Sequence, residues 1–101
     1  MADRALMNFV NGEAVASVDG ETLDLVDPST GEVFATSPNS GESDVTAACQ
    51  AAQQAFDKWR DTTPSQRQLA LLRFADSVES HADELVALES QNTGKPIGLT
   101  A

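Results

Sequence analysis

Apolar residues recur along this chain with two different periods, and the change from one to the other divides it. In the first part the runs are short. Phe9-Val10 and Glu13-Ala14-Val15 flank Asn11-Gly12, the dipeptide that most readily takes the two positive-φ positions of a type I′ turn, so a β-hairpin is expected. Leu23 and Leu25 then bracket Asp24 in a strand pattern that ends at Asp27-Pro28-Ser29-Thr30-Gly31. Proline presets the first turn position and glycine accepts the left-handed one, so this stretch should reverse the chain into Val33-Phe34-Ala35-Thr36. That is a second hairpin. Met1 to Leu6 reads as a frayed end, and Ser37 to Ser43, rich in Pro, Asn, Ser and Gly, as a polar loop.

After that loop the period changes to that of a helix. Val45, Cys49, Ala52, Phe56 and Trp59 recur at steps of four, three, four and three, predicting a helix of about 17 residues that stops near Arg60 or Asp61. Its cap is Ser40 or Gly41. A longer amphipathic stretch runs from Thr62 to Pro96. Thr63-Pro64-Ser65-Gln66 puts a hydroxyl at the N-cap, a proline at the first helical position, and a glutamine that can reach back to the cap amide. Leu71, Ala75, Val78, Ala82 and Leu85 form the apolar stripe, which Leu69, Leu72 and Leu88 widen. Asn92, Gly94 and Pro96 end it. Within the stretch, Ser80 followed by Asp83 and Glu84 repeats the chemistry of a helix start, so a break is expected between Ser80 and Ala82. The whole predicts an α+β fragment: two short β-hairpins over 7–37, then two or three amphipathic helices over 41–96.

Composition narrows the partners. A chain of 101 residues holds one domain at most, and its few aromatic residues leave a core mostly of Ala, Val and Leu. The net charge of −10 repels phosphate backbones and anionic lipid surfaces, which argues against nucleic acid and against membrane as partners. Cys49 is the single cysteine, so no internal disulfide forms. The segment MADRALMNFV lacks the apolar run of a signal peptide, and the chain reads as cytoplasmic.

No residue pattern singles out an active site. Cys49 lies on the apolar face of its helix with no base or cation in sequence reach, and reads as a small buried hydrophobe. His81, the only histidine, has Leu85 rather than a ligand four residues on, and reads as a cap or a surface group. The carboxylates of Glu79, Asp83, Glu84 and Glu89 read as a solvated face. Gly94-Lys95 is followed by Pro96 where a phosphate loop needs Ser or Thr, and Trp59-Arg60 reads as a packing edge with a cation near the negative helix pole.

Four strings in register carry more. Phe9-Val-Asn-Gly-Glu13, Asp27-Pro-Ser-Thr-Gly-Glu-Val33, the Asp44 to Phe56 helix closing on Trp59-Arg60, and Leu88-Glu-Ser-Gln-Asn-Thr-Gly-Lys-Pro96 together resemble the amino-terminal part of the aldehyde dehydrogenase superfamily. The runs Trp59 to Pro64 and Gly94 to Thr100 look most like bacterial enzymes of aminoaldehydes such as 4-aminobutyraldehyde, with betaine aldehyde dehydrogenases close by. The resemblance implies a much longer enzyme in which these helices pack on the parallel sheet of an α/β Rossmann-like NAD(P)-binding domain. It also implies a cysteine thiolate that attacks the aldehyde, hydride transfer to NAD or NADP, and a glutamate-activated water that hydrolyses the thioester. None of those catalytic or cofactor positions matches a residue of this chain. Some relatives hold a monovalent cation with backbone carbonyls just before the Asp-Pro turn, where Leu25 and Val26 stand here, without the remaining ligands. No catalytic, cofactor-binding or metal residue is therefore expected, and no cofactor for this chain alone.

The two amphipathic helices carry more apolar stripe than four short strands can cover. Exposed stripe, and association through it with a copy of the chain or with another partner, are the expectations. Besides a segment of a dehydrogenase that is inactive alone, the pattern leaves open a non-enzymatic interaction module and a small self-pairing structural protein.

Overall fold

The computed structural model describes residues 4–100. Five strands precede four helices: β1 (Arg4–Ala5), β2 (Asn8–Val10), β3 (Glu13–Val15), β4 (Thr22–Val26), β5 (Val33–Pro38), α1 (Glu42–Trp59), α2 (Pro64–Ser80), α3 (Ala82–Thr93) and α4 (Ile97–Thr100). The chain is α+β, as its periods predict.

Strands β2 and β3 pair antiparallel around Asn11 and Gly12, whose φ angles of 54° and 80° are those of the expected turn. The second hairpin, β4 with β5, is joined by a third strand in the order β1-β5-β4. That third strand corrects the reading of the amino terminus as frayed: Arg4 and Ala5 lie parallel to Ala35 and Thr36, and the Leu6 amide donates to the Thr36 carbonyl at 2.8 Å. A two-residue strand has no period to display, so its pattern is invisible until β5 offers a free edge. Residues 1–3, the remainder of that call, lie outside the described residues. The polar loop is also shorter than predicted, because β5 runs on through Ser37 and Pro38, which pairs with Thr22. Proline is tolerated at this last ladder position, where no further amide is required of it.

The start of α1 is settled by Asp44. Gly41, not Ser40, is the N-cap, and the Asp44 carboxylate accepts from the Gly41 amide and, across the chain, from the Val18 amide, each at 2.9 Å. Ser40 instead accepts from the Asn8 side chain at 2.7 Å. One carboxylate thus completes the helix end and ties it to the strand half.

Helix α2 begins as predicted, with Thr63 Oγ1 accepting from the Gln66 amide at 3.2 Å and Gln66 Oε1 accepting from the Thr63 amide at 3.0 Å. It stops at His81, whose φ of −110° and ψ of 17° break the helix where a break was expected. Helix α3 ends on Gly94 in the left-handed conformation, φ 76°. There it meets the strand half again, since a Cβ on Gly94 would lie 3.0 Å from Pro28 Cγ in the β4–β5 turn. In that turn Asp27 Oδ1 accepts from the Ser29 hydroxyl at 2.6 Å and the Ser29 amide at 2.9 Å. These two bonds, the hydroxyl's first, hold the Asp27 carboxyl below the usual carboxylate range.

Burial is slight. Among the described residues Ala35, in the central strand, is the only buried apolar residue, and every residue of 71–80 is exposed. The accessible surface is 7759 Å², against about 5,500 Å² for a compact protein of this mass. The radius of gyration is 17.0 Å, against about 13 Å for a compact chain of this length. The helices leave the strands rather than covering them.

The faces of α2 also differ from the single widened stripe read from the sequence. At 100° per residue, Leu71, Phe74, Ala75 and Val78 fall within an arc of about 100° and Leu72 lies about 60° beyond Ala75 at its margin, whereas Leu69 lies on the opposite side of the helix. One layer cannot cover both.

Two outcomes check this description. Gly94→Ala should cost about 1–2 kcal/mol in thermal unfolding, more than Gly31→Ala, because both glycines have positive φ but only Gly94 has Pro28 against it. By carboxyl NMR titration, Asp27 should titrate below an ordinary aspartate, and Ser29→Ala should move its midpoint upward. Since the folded-state value is lowered, the turn's stabilisation is present above the unfolded-state value and fades as pH falls through the folded one.

Candidate functional site

What the fold presents to solvent is a pair of apolar helix faces rather than a cleft. Along α1, Val45, Phe56 and Trp59 are exposed on the side lined by Ala48, Ala52 and Ala55. The β2–β3 hairpin stands beside this side, and between them lies an open groove of about 250 Å³ lined by Phe9, Val10, Asn11 and the alanines of α1. Its walls carry no charged group. Phe9 itself is 77% exposed, so the groove is a gap between elements and not an enclosed binding cavity.

The exposed thiol of Cys49 corrects the expectation of a buried hydrophobe. Its helical position faces the side of α1 that a globular protein would cover, and no layer of this chain covers it. Histidine 81 is where its sequence context suggested, at the junction of α2 and α3: Nδ1 lies 2.8 Å from the Ser77 carbonyl, to which it donates, and 3.1 Å from Ser80 Oγ. Its proton is thereby committed to ending α2. Arg60 caps α1, with its guanidinium 5.8 Å from the Phe56 ring centre and 3.8 Å and 3.7 Å from Asp57 and Asp61, all at the surface.

Among the described residues, no three His, Cys, Asp or Glu side chains converge as a metal site would need. Leu25 and Val26 lie in β4, paired with Ala35 and Val33. At Gly94-Lys95 the amides are spent on the helix end: Gly94 donates to the Ser90 carbonyl at 2.9 Å and Lys95 to Thr93 Oγ1 at 3.2 Å. A phosphate would find no free amide cradle there. No described helix is long and apolar enough to cross a membrane.

Sequence reasoning missed two polar or steric ties that hold the helices to the strands: Asp44 with Val18, and Gly94 with Pro28. The first had a local signal, an acidic residue three positions after a cap candidate. The second had none, because the two residues are far apart in sequence. It brings two of the four resemblance strings, the Asp-Pro turn and the Asn-Thr-Gly-Lys-Pro end, into contact.

Comparison with known proteins gives this arrangement a context. The profile of the aldehyde dehydrogenase family matches residues 15–101. Aldehyde dehydrogenase 1 of Tanacetum cinerariifolium is 46% identical over 90 residues, which are 87% of this chain and 18% of that protein. The structure of an NAD-dependent aldehyde dehydrogenase from Sinorhizobium meliloti superposes with a TM-score of 0.92 at 32% identity, over 99% of this chain and 20% of that one. The gamma-glutamyl-gamma-aminobutyraldehyde dehydrogenase of Burkholderia cenocepacia superposes with a TM-score of 0.91 at 41% identity, over 94% of this chain and 20% of that one. The chain therefore spans about a fifth of the length of these relatives and reproduces the backbone of that fifth. With the match covering most of its residues, the chain belongs to the aldehyde dehydrogenase family.

Proposed function

We propose that the chain is the amino-terminal segment of an NAD(P)-dependent aldehyde dehydrogenase that oxidises an aldehyde, of the aminoaldehyde class, to a carboxylate. In this reading residues 7–37 are a β-hairpin region and residues 41–96 a helical region of an α/β Rossmann-like NAD(P)-binding domain. The observation that carries it is the combination of a near-complete backbone match with an uncovered surface. A segment shaped to lie against a larger fold keeps that fold's backbone and shows the apolar faces that the fold would bury.

The segment's part in the reaction is structural. It supplies no nucleophile, proton acceptor or dinucleotide site, so the thiolate, the water-activating base and the NAD or NADP pocket all belong to other parts of the enzyme. In this reading exposed Cys49, on a helix whose sequence holds no histidine, is not the nucleophile. The aminoaldehyde reading follows the name of the Burkholderia relative and the runs Trp59 to Pro64 and Gly94 to Thr100. The same reading places the enzyme in the cytoplasm.

The test is replacement. With this chain exchanged for the matching segment of the Burkholderia enzyme, aldehyde-dependent NADH or NADPH formation should persist within about tenfold of the parent rate, an effect of about 1.4 kcal/mol or less on the barrier. Cys49→Ser should leave that rate unchanged, and the 101-residue chain alone should show none. A folded but inactive hybrid, or activity lost with Cys49→Ser, would contradict the proposal.

A further inference from the structure

We propose that Asn11 is a modification site, at which this chain deamidates spontaneously through attack of the Gly12 backbone nitrogen on the Asn11 side-chain amide. A bond forms between that nitrogen and Asn11 Cγ, the Cγ–Nδ2 bond breaks, and the nitrogen's proton leaves with Nδ2 as ammonia. Water then opens the resulting cyclic imide at either carbonyl, giving aspartate or isoaspartate. The attack needs an uncrowded nitrogen and a peptide able to rotate. Glycine meets the first need, and in this chain even a Cβ built at Gly12 would have no atom within 4 Å.

The hairpin leaves that nitrogen free. Its ladder closes on Val10 opposite Glu13, so Gly12 lies in the turn, outside the ladder. Ring closure rotates the Asn11–Gly12 peptide out of the turn, and the ladder has to give. Among the described residues, β2 and β3 form a two-stranded sheet of three residue pairs that no third strand joins, an arrangement marginal by itself in water. Asn11 also starts from a φ of 54°, which a residue with a side chain holds only at a cost. The other three asparagines are held back. Asn8 precedes the bulky Phe9, and its side-chain nitrogen donates to Ser40 Oγ at 2.7 Å. The Asn39 amide donates to the Glu21 carbonyl at 2.8 Å, beside the β4–β5 ladder. Asn92 lies within α3, before the β-branched Thr93. Isoaspartate at position 11 would add a methylene carbon to the backbone of a two-residue turn and bring a carboxylate to a groove whose walls carry no charged group. The inference stands on the turn and its ladder, independently of the catalytic reading.

Incubation of the purified chain near neutral pH, followed by peptide mapping with mass spectrometry, should show Asn11 converting first of the four asparagines, to a mixture of isoaspartate and aspartate. Gly12→Ala should slow the conversion about tenfold or more by crowding the attacking nitrogen, even though alanine at a φ of 80° strains the turn and loosens the hairpin. The two effects oppose each other, so the direction of the change shows whether the glycine nitrogen is the nucleophile. Asn11 outlasting Asn8, Asn39 or Asn92 would overturn the proposal. Conversion to aspartate alone, the mark of direct hydrolysis without the cyclic imide, would overturn it equally, as would a rate raised by Gly12→Ala.

Discussion

An amphipathic helix is stable in a globular protein only when something lies against its apolar side, and in this chain almost nothing does. Isolated helices of this length are marginal in water, because the nucleation cost is met chiefly by tertiary packing. Here α1 and α2 keep their apolar residues in solvent, and among the described residues the one buried apolar side chain is Ala35, a single small methyl in the centre of a three-stranded sheet. The order of the chain rests on local features instead: the capping pair of Thr63 and Gln66, the tight turns at Asn11-Gly12 and Asp27-Pro28, and the left-handed end at Gly94.

Two contacts convert those local pieces into a definite arrangement. Asp44 joins the start of α1 to the segment after β3, and Gly94 brings the end of α3 against Pro28. Both act at helix ends, Asp44 by accepting from backbone amides that need a partner and Pro28 by packing beside Gly94, so they orient the helices without requiring an apolar layer. That economy explains how the chain matches its relatives' backbone closely while enclosing so little of its own surface. The shape is held at its joints, with the apolar helix faces left open to solvent.

Most elements were legible in the sequence because their signals are local. Asn11-Gly12 states its turn type outright, Thr63-Pro64-Ser65-Gln66 states a helix start, and the polar run through Ser80 and His81 states the break between α2 and α3. What escaped was non-local or depended on absent layers. Arg4 and Ala5 form a strand only because β5 has an edge to offer. Ser37 and Pro38 remain in β5 because Thr22 is there to pair with. Cys49 occupies an apolar position, yet position predicts burial only if a layer arrives to bury it. Leu69 looks like the margin of a stripe when residues are counted in threes and fours, whereas the helix turns it to the far side. Family membership was legible from short strings whose meaning lies in their order.

The claim on which the rest depends is that the chain does not enclose itself. Small-angle X-ray scattering, extrapolated to zero concentration so that single chains are observed, tests it most directly. The account predicts a radius of gyration near the 17.0 Å of the structure. A value near the roughly 13 Å of a compact domain of this length would show that the helices fold back over the strands, and would contradict it.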